Sequence, residues 1–117
     1  MYYKQKLGQI GEELATKYLL ENDYEIMDRN FKIRLGEIDI VALDKDELVF
    51  IEVKTRTTDK YGVPSEAVDY EKMKHILRVA EYYLYVNKIK DVYCRIDVIE
   101  VIVEQNKYKI NHIKQCI

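Results

Sequence analysis

Apolar positions along the chain switch between two spacings. Between residues 5 and 22, Leu7, Ile10, Leu14 and Tyr18 recur every three or four residues, with Gly11, Ala15 and Leu19 on one flank. That spacing predicts a helix, which Asn22-Asp23 breaks. A strand is expected near residues 24–31, although Asp28-Arg29-Asn30 makes it irregular. Gly36 opens the next strand, over 37–43, where Ile38, Ile40 and Ala42 share one face and Glu37, Asp39 and Val41 the other. A hairpin turn at Asp44-Lys45-Asp46 leads into a strand over 48–55. There Val49, Ile51 and Val53 oppose Phe50, Glu52 and Lys54.

The second half repeats the change of period. Residues 59–64, with Gly62 and Pro64, read as a loop. Ser65 or Asp69 is placed to cap a helix running to about Asn87, with Met73, Ile76, Leu77, Ala80 and Leu84 as its apolar stripe. Two strands follow over 92–103 and 107–113, with the turn at Asn106-Lys107. The order α-β-β-β-α-β-β predicts an α/β domain, and 117 residues suffice for one domain, 1–117.

Composition narrows the function classes. Hydrophobic residues make up 48%, enough for one core, and the net charge is −2. A generally basic nucleic-acid coat is excluded, so any nucleic-acid contact has to come from a local patch. Cys94 and Cys116 have no zinc spacing and too few partners for a disulfide framework, so two free thiols in a reducing compartment are expected. Cys94 is expected to pack as a small apolar residue. Neither a leader nor a membrane span is legible, which points to the cytoplasm. Eleven tyrosines accompany two phenylalanines and no tryptophan. Packing at the core edge suits them better than base stacking.

The chemistry lies in the two central strands. Asp39 and Glu52 interrupt otherwise apolar runs, and a buried carboxylate requires a compensating charge. Lys54 follows Glu52 by two residues and shares its face. Pairing of the two strands as a hairpin would bring Asp39 beside them. Two carboxylates and an ammonium can hold a hard cation, polarise a phosphate and steady developing negative charge. The same spacing serves equally well for a structural ion pair with a spare acid. Glu12, one turn before Ala15 at the stripe's margin, is a further candidate with Glu13 as its substitute, although either could be a solvated helix acid. Glu37 is a metal-side helper or a solvated strand-end residue. His75 and His112 are too isolated to be proposed as ligands. For nucleic-acid contact the candidates are Arg56, Lys72, Lys74 and Arg78, the last three within a basic stretch of the second helix. A solvated surface is the alternative for each. Arg29, Lys32 and Arg34 could form a second basic edge.

Asp39, then Glu52-Val53-Lys54, resembles the D…(D/E)-x-K signature of restriction-endonuclease-like nucleases. A longer likeness covers nearly the whole chain. It runs through Gly8-x-x-Gly11-Glu12, Ala15, Tyr18-Leu19, Arg29-Asn30, Gly36-Glu37-Ile38-Asp39-Ile40-Val41-Ala42 and Val49-Phe50-Ile51-Glu52-Val53-Lys54-Thr55-Arg56. Tyr61-Gly62-x-Pro64, Lys72, Ala80 and Arg95-Ile96-Asp97-Val98 complete it. In these residues the chain resembles the YraN-like bacterial family of predicted endonucleases, and its core is similar to that of archaeal Holliday-junction resolvases. The resemblance implies a restriction-endonuclease-like mixed sheet flanked by helices. It also implies dependence on Mg²⁺ or Mn²⁺, with Glu12, Asp39 and Glu52 on the metal side and Lys54 as the catalytic lysine. The expected function is cleavage of phosphodiester bonds in structured or branched DNA. The rivals are a non-catalytic nucleic-acid-binding module and a protein-interaction module on the same fold. A homodimer would suit a two-fold symmetric substrate.

Overall fold

The computed structural model describes residues 2–57 and 68–117, so the expected loop at 59–64 and the alternative cap Ser65 lie outside the described residues. The elements follow the expected order: α1 (Tyr2–Glu21), β1 (Glu25–Ile33), β2 (Gly36–Asp44), β3 (Glu47–Arg56), α2 (Tyr70–Val86), β4 (Tyr93–Glu104) and β5 (Lys107–Ile113). The strands form one mixed sheet in sequence order. Three of the four pairings are antiparallel, and β3–β4 is parallel. A parallel neighbour requires a crossover, and α2 lies in that connection.

Each helix covers one face of the sheet. Ala15 and Leu19 of α1 pack on Ile40, Ala42, Val49, Ile51, Ile99 and Val101. Met73, Ile76, Val79, Ala80 and Tyr83 of α2 pack on Ile38, Val41, Leu48, Phe50, Ile96 and Val98. The even–odd division of β3 is therefore as its alternation predicts. The helix stripes are rotated from their expected positions. On α1 the flank residues Gly11, Ala15 and Leu19 are buried, whereas Ile10 of the nominal stripe is exposed. On α2, Val79 and Tyr83 take the core, while Leu77 is exposed and Leu84 only partly buried. Both shifts have a steric cause. Helix α1 lies so close to β3 that a methyl group on Gly11 would come within 1.8 Å of Thr55 Oγ1. The Tyr83 ring fits edge-on to both Phe31 and Phe50.

The face expected for β2 also changes. Ile38 packs on the α2 side and Ile40 on the α1 side, although they are two residues apart. The alternation breaks at Asp39, opposite Asn30, which has a φ of 56°. The β2–β3 ladder runs from Asp44↔Glu47 to Ile40↔Ile51, and at Asp39 the strands part.

The α1-side face of β4 holds a buried polar network with no counterpart in the sequence reading. Arg95, 6% exposed, donates to Asp97 (3.1 Å), Glu47 (2.6 Å), Asp44 (3.1 Å) and the Tyr24 hydroxyl (2.9 Å). Asp97 also accepts from the Gln115 amide (2.9 Å) and lies 2.7 Å from His112 Nε2. With the ring proton on Nε2, His112 Nδ1 accepts from the Tyr18 hydroxyl at 2.9 Å. His112 is thus far from isolated. Cys94, expected to be packed, is exposed, and both cysteines are free.

Burial alone would raise the Asp97 carboxyl. The bonds from His112, Gln115 and Arg95 outweigh burial and hold its pKa below the usual carboxylate value. A carboxyl with a depressed folded pKa contributes stability above its ordinary value, and that stability is lost as pH falls through the folded one. Asp97→Ala leaves Arg95 buried with its ion cluster broken, and is expected to cost about 3–5 kcal/mol at pH 7. Urea denaturation at pH 7 and near pH 3 should show the gap to the unaltered chain narrowing in acid. In the same assay Gly11→Ala is expected to cost about 1–3 kcal/mol through overpacking against Thr55.

Candidate metal centre

Where β2 leaves β3, backbone pairing is replaced by a side chain. The Val53 amide donates to Asp39 Oδ2 at 2.8 Å. This bond fixes the Asp39 carboxylate beside β3, one step past the Ile40↔Ile51 pair and next to Glu52. Asp39 is thereby brought to Glu52, as hairpin pairing predicts. Burial pushes the Asp39 carboxyl up to about 6, only partly opposed by the Val53 amide. The charges of Glu12, Glu52 and Glu37 contribute to that rise. Glu12 therefore lies within electrostatic reach of Asp39.

Glu52 is 5% exposed on the α2 side of β3. Its Oε2 is paired with the Lys72 ammonium, and its Oε1 is buried with no hydrogen-bond partner among the described residues. Asp69 places Lys72 there. Its side chain caps α2 by accepting from the Glu71 and Lys72 amides at 3.1 and 3.2 Å, which sets Lys72 in the first turn facing β3. Lys54 is half-buried on the same strand face as Glu52, beside Glu100 of β4.

The remaining candidates are distributed unevenly. Glu12 is bound to Arg29 at 3.2 Å, and the same Arg29 nitrogen reaches Glu13 at 3.2 Å. These three residues line a groove of about 650 Å³ between α1 and β1. Arg56 turns inward to the buried carboxylate of Glu100, which Asn111 also meets at 3.4 Å. Lys74 and Arg78 lie exposed one turn apart on α2, with Lys74 3.7 Å from Glu71. Glu37 is exposed and 3.6 Å from Lys32. It lines a second groove of about 450 Å³, shared with Lys72 and His75. The expected second basic edge is thus reduced, because Arg29 and Lys32 both have acidic partners while Arg34 is exposed.

Among the described residues, no three His, Cys, Asp or Glu side chains are grouped closely enough to hold a metal ion. Two carboxylates nevertheless suffice for Mg²⁺, which retains several waters. Asp39 and Glu52 fit such an ion in chemical type. One is raised by burial and by neighbouring acids, and the other buries an oxygen without a partner among the described residues.

The model of the uncharacterised protein family UPF0102 matches residues 11–101, which include every one of these side chains. The chain belongs to the UPF0102 family. UPF0102 relatives match over most of their length. One from Alkaliphilus oremlandii is 51% identical over 111 residues, covering 93% of this chain and 95% of the relative. Another, from Caldanaerobacter subterraneus subsp. tengcongensis, is 43% identical and covers 94% and 93%. A third, from Caldicellulosiruptor bescii, is 46% identical and covers 93% and 94%. The YraN-like resemblance is thereby borne out at the level of family. No described helix is long and apolar enough to cross a membrane.

The raised Asp39 value has a definite sign. Between the unfolded value of 3.8 and the folded value of about 6, the folded state keeps a proton that the unfolded state has lost. Stability therefore falls as pH rises through this window and remains lower above it. Asp39→Asn keeps an acceptor for the Val53 amide and removes the charge. It is expected to stabilise the metal-free chain by on the order of 2–3 kcal/mol at pH 8, with no gain below pH 4. Chemical denaturation across that range checks the sign.

Proposed function

We propose that this UPF0102 protein is a metal-dependent endonuclease acting on structured or branched DNA. The observation that carries the reading is the fork between β2 and β3. There Asp39 accepts from the Val53 amide within electrostatic reach of Glu52, whose Oε1 is buried without a partner among the described residues. Asp39 and Glu52 would hold the ion, with Glu12 near enough to add to their field. A bound Mg²⁺ or Mn²⁺ would supply a Lewis acid for a phosphate oxygen and lower the pKa of a nearby water.

The other groups come from the chain itself. Lys54, two residues beyond Glu52 on the same face, supplies an ammonium that can orient the attacking water or steady negative charge on the phosphate. Lys74 and Arg78 offer exposed positive charge along α2 for the backbone of the nucleic acid. Arg56 pairs with the buried Glu100 carboxylate and would support the site from the end of β3.

One observation favours a second reading, a non-catalytic nucleic-acid-binding module. No three-ligand group of metal-binding side chains forms among the described residues. The two readings separate in one assay. Branched, flapped and duplex DNA are incubated with Mg²⁺ or Mn²⁺ and the unaltered chain, Asp39→Asn, Glu52→Gln or Lys54→Ala. Cleavage is expected from the unaltered chain, with a loss of roughly 10²–10³-fold in each variant. DNA binding with no cleavage under either metal would support the binding module, and cleavage unchanged in Asp39→Asn would reject the site.

A further inference from the structure

Three of the buried acids in the sheet are compensated in different ways. Asp97 has partners on both oxygens, drawn from Arg95, His112 and the Gln115 amide. Glu100 has Arg56 on one oxygen and Asn111 on the other. Glu52 has one oxygen on Lys72 and one with no partner among the described residues. Its partner also differs in kind. Arg95 is buried along its length, whereas the Lys72 side chain is 56% exposed and reaches the carboxylate from the solvent edge.

A lysine suits this position because its ammonium is a compact charge on a four-carbon stem with free rotation. The stem can leave the carboxylate without unpacking anything, since the helix is anchored through Met73 and Ile76 rather than through Lys72. The pull between the two groups is mutual. Asp39 and Glu37 add further negative charge around the Lys72 ammonium. An ammonium and a divalent ion cannot both stay against one buried carboxylate, because like charges at contact distance repel strongly in a desolvated setting.

We propose that Lys72 is a tethered counter-ion, which neutralises Glu52 while the site holds no metal and is displaced when a divalent cation binds. This rests on the metal reading of Asp39 and Glu52. In the metal-free protein Lys72 removes the penalty of a bare buried carboxylate. On metal binding the ammonium swings toward the groove shared by Glu37 and His75. The ion pair therefore competes with the metal and sets its apparent affinity.

The test is calorimetric titration of Mn²⁺ into the full chain, with thermal melts in chelator and in Mn²⁺. Lys72→Met and the more polar Lys72→Gln remove the competitor and Lys72→Arg retains a cation, while Lys17→Met removes a distant exposed charge on α1. The Met and Gln variants are expected to bind Mn²⁺ about tenfold or more tightly than the unaltered chain. They should melt lower in chelator and recover in Mn²⁺. Lys72→Arg should stay near the unaltered affinity, as should Lys17→Met. If Mn²⁺ binds the unaltered chain in a Glu52-dependent way but no more tightly when Lys72 is removed, the counter-ion role is wrong and the metal site stands. If Mn²⁺ binds neither the unaltered chain nor the Met and Gln variants, the metal reading fails and the counter-ion role fails with it.

Discussion

The bond from the Val53 amide to the Asp39 carboxylate holds the central sheet together at the point where its backbone pairing stops. An unpaired amide in the middle of a sheet is costly, and Asp39 supplies the acceptor that a strand carbonyl would otherwise provide. The consequence is a fork. β2 turns toward α2 through Ile38, β3 continues alongside β4, and the Asp39 carboxylate bridges to the Val53 amide.

That arrangement is not the most stable one available to the sheet. Burial and the neighbouring acids Glu12, Glu52 and Glu37 all work against ionisation of Asp39. Elsewhere the same fold buries acids with full compensation, as around Asp97 and Glu100. The sheet can therefore satisfy a buried carboxylate, and at Glu52 it does so only halfway. Proteins accept such local costs where a ligand or a reaction needs the unsatisfied group. This contrast between acids within one sheet is the strongest support for treating the fork as the functional centre.

The structure also divides the electrostatics between the two faces. On the α1 side, Arg95 ties Asp44, Glu47 and Asp97 into a network that closes with His112, Tyr18 and Tyr24. It joins β3, β4, β5 and α1 at the end of the sheet where β3 begins, and it leaves few groups free for a ligand. On the α2 side, Glu52, Lys54 and Arg56 alternate toward the end of β3, with Lys72 reaching in from the helix. The first arrangement rigidifies the scaffold, and the second presents charge at its edge.

Much of this was legible in the residues. Period-two and period-four spacing located all seven elements, because alternation on a strand and the stripe on a helix follow from local geometry alone. The adjacency of Asp39 and Glu52 followed from a hairpin with a short turn, and Asp69 was legible as a cap. Three things required the tertiary structure. The helix stripes rotated because Gly11 meets Thr55 and Tyr83 meets two phenylalanine rings, contacts between residues far apart in sequence. His112 acquired Asp97 and Tyr18 as partners across 15 and 94 residues, for which spacing carries no signal. The fate of each charge, with Arg56 on Glu100, Arg29 on Glu12 and Glu13, and Lys72 on Glu52, was decided by which chains lie side by side. The sequence by itself determined the elements and the acids they carry, because both depend on near neighbours. Only the tertiary structure decided which of those acids is left partly unpaired, because compensation of a buried charge depends on everything within a few ångströms of it.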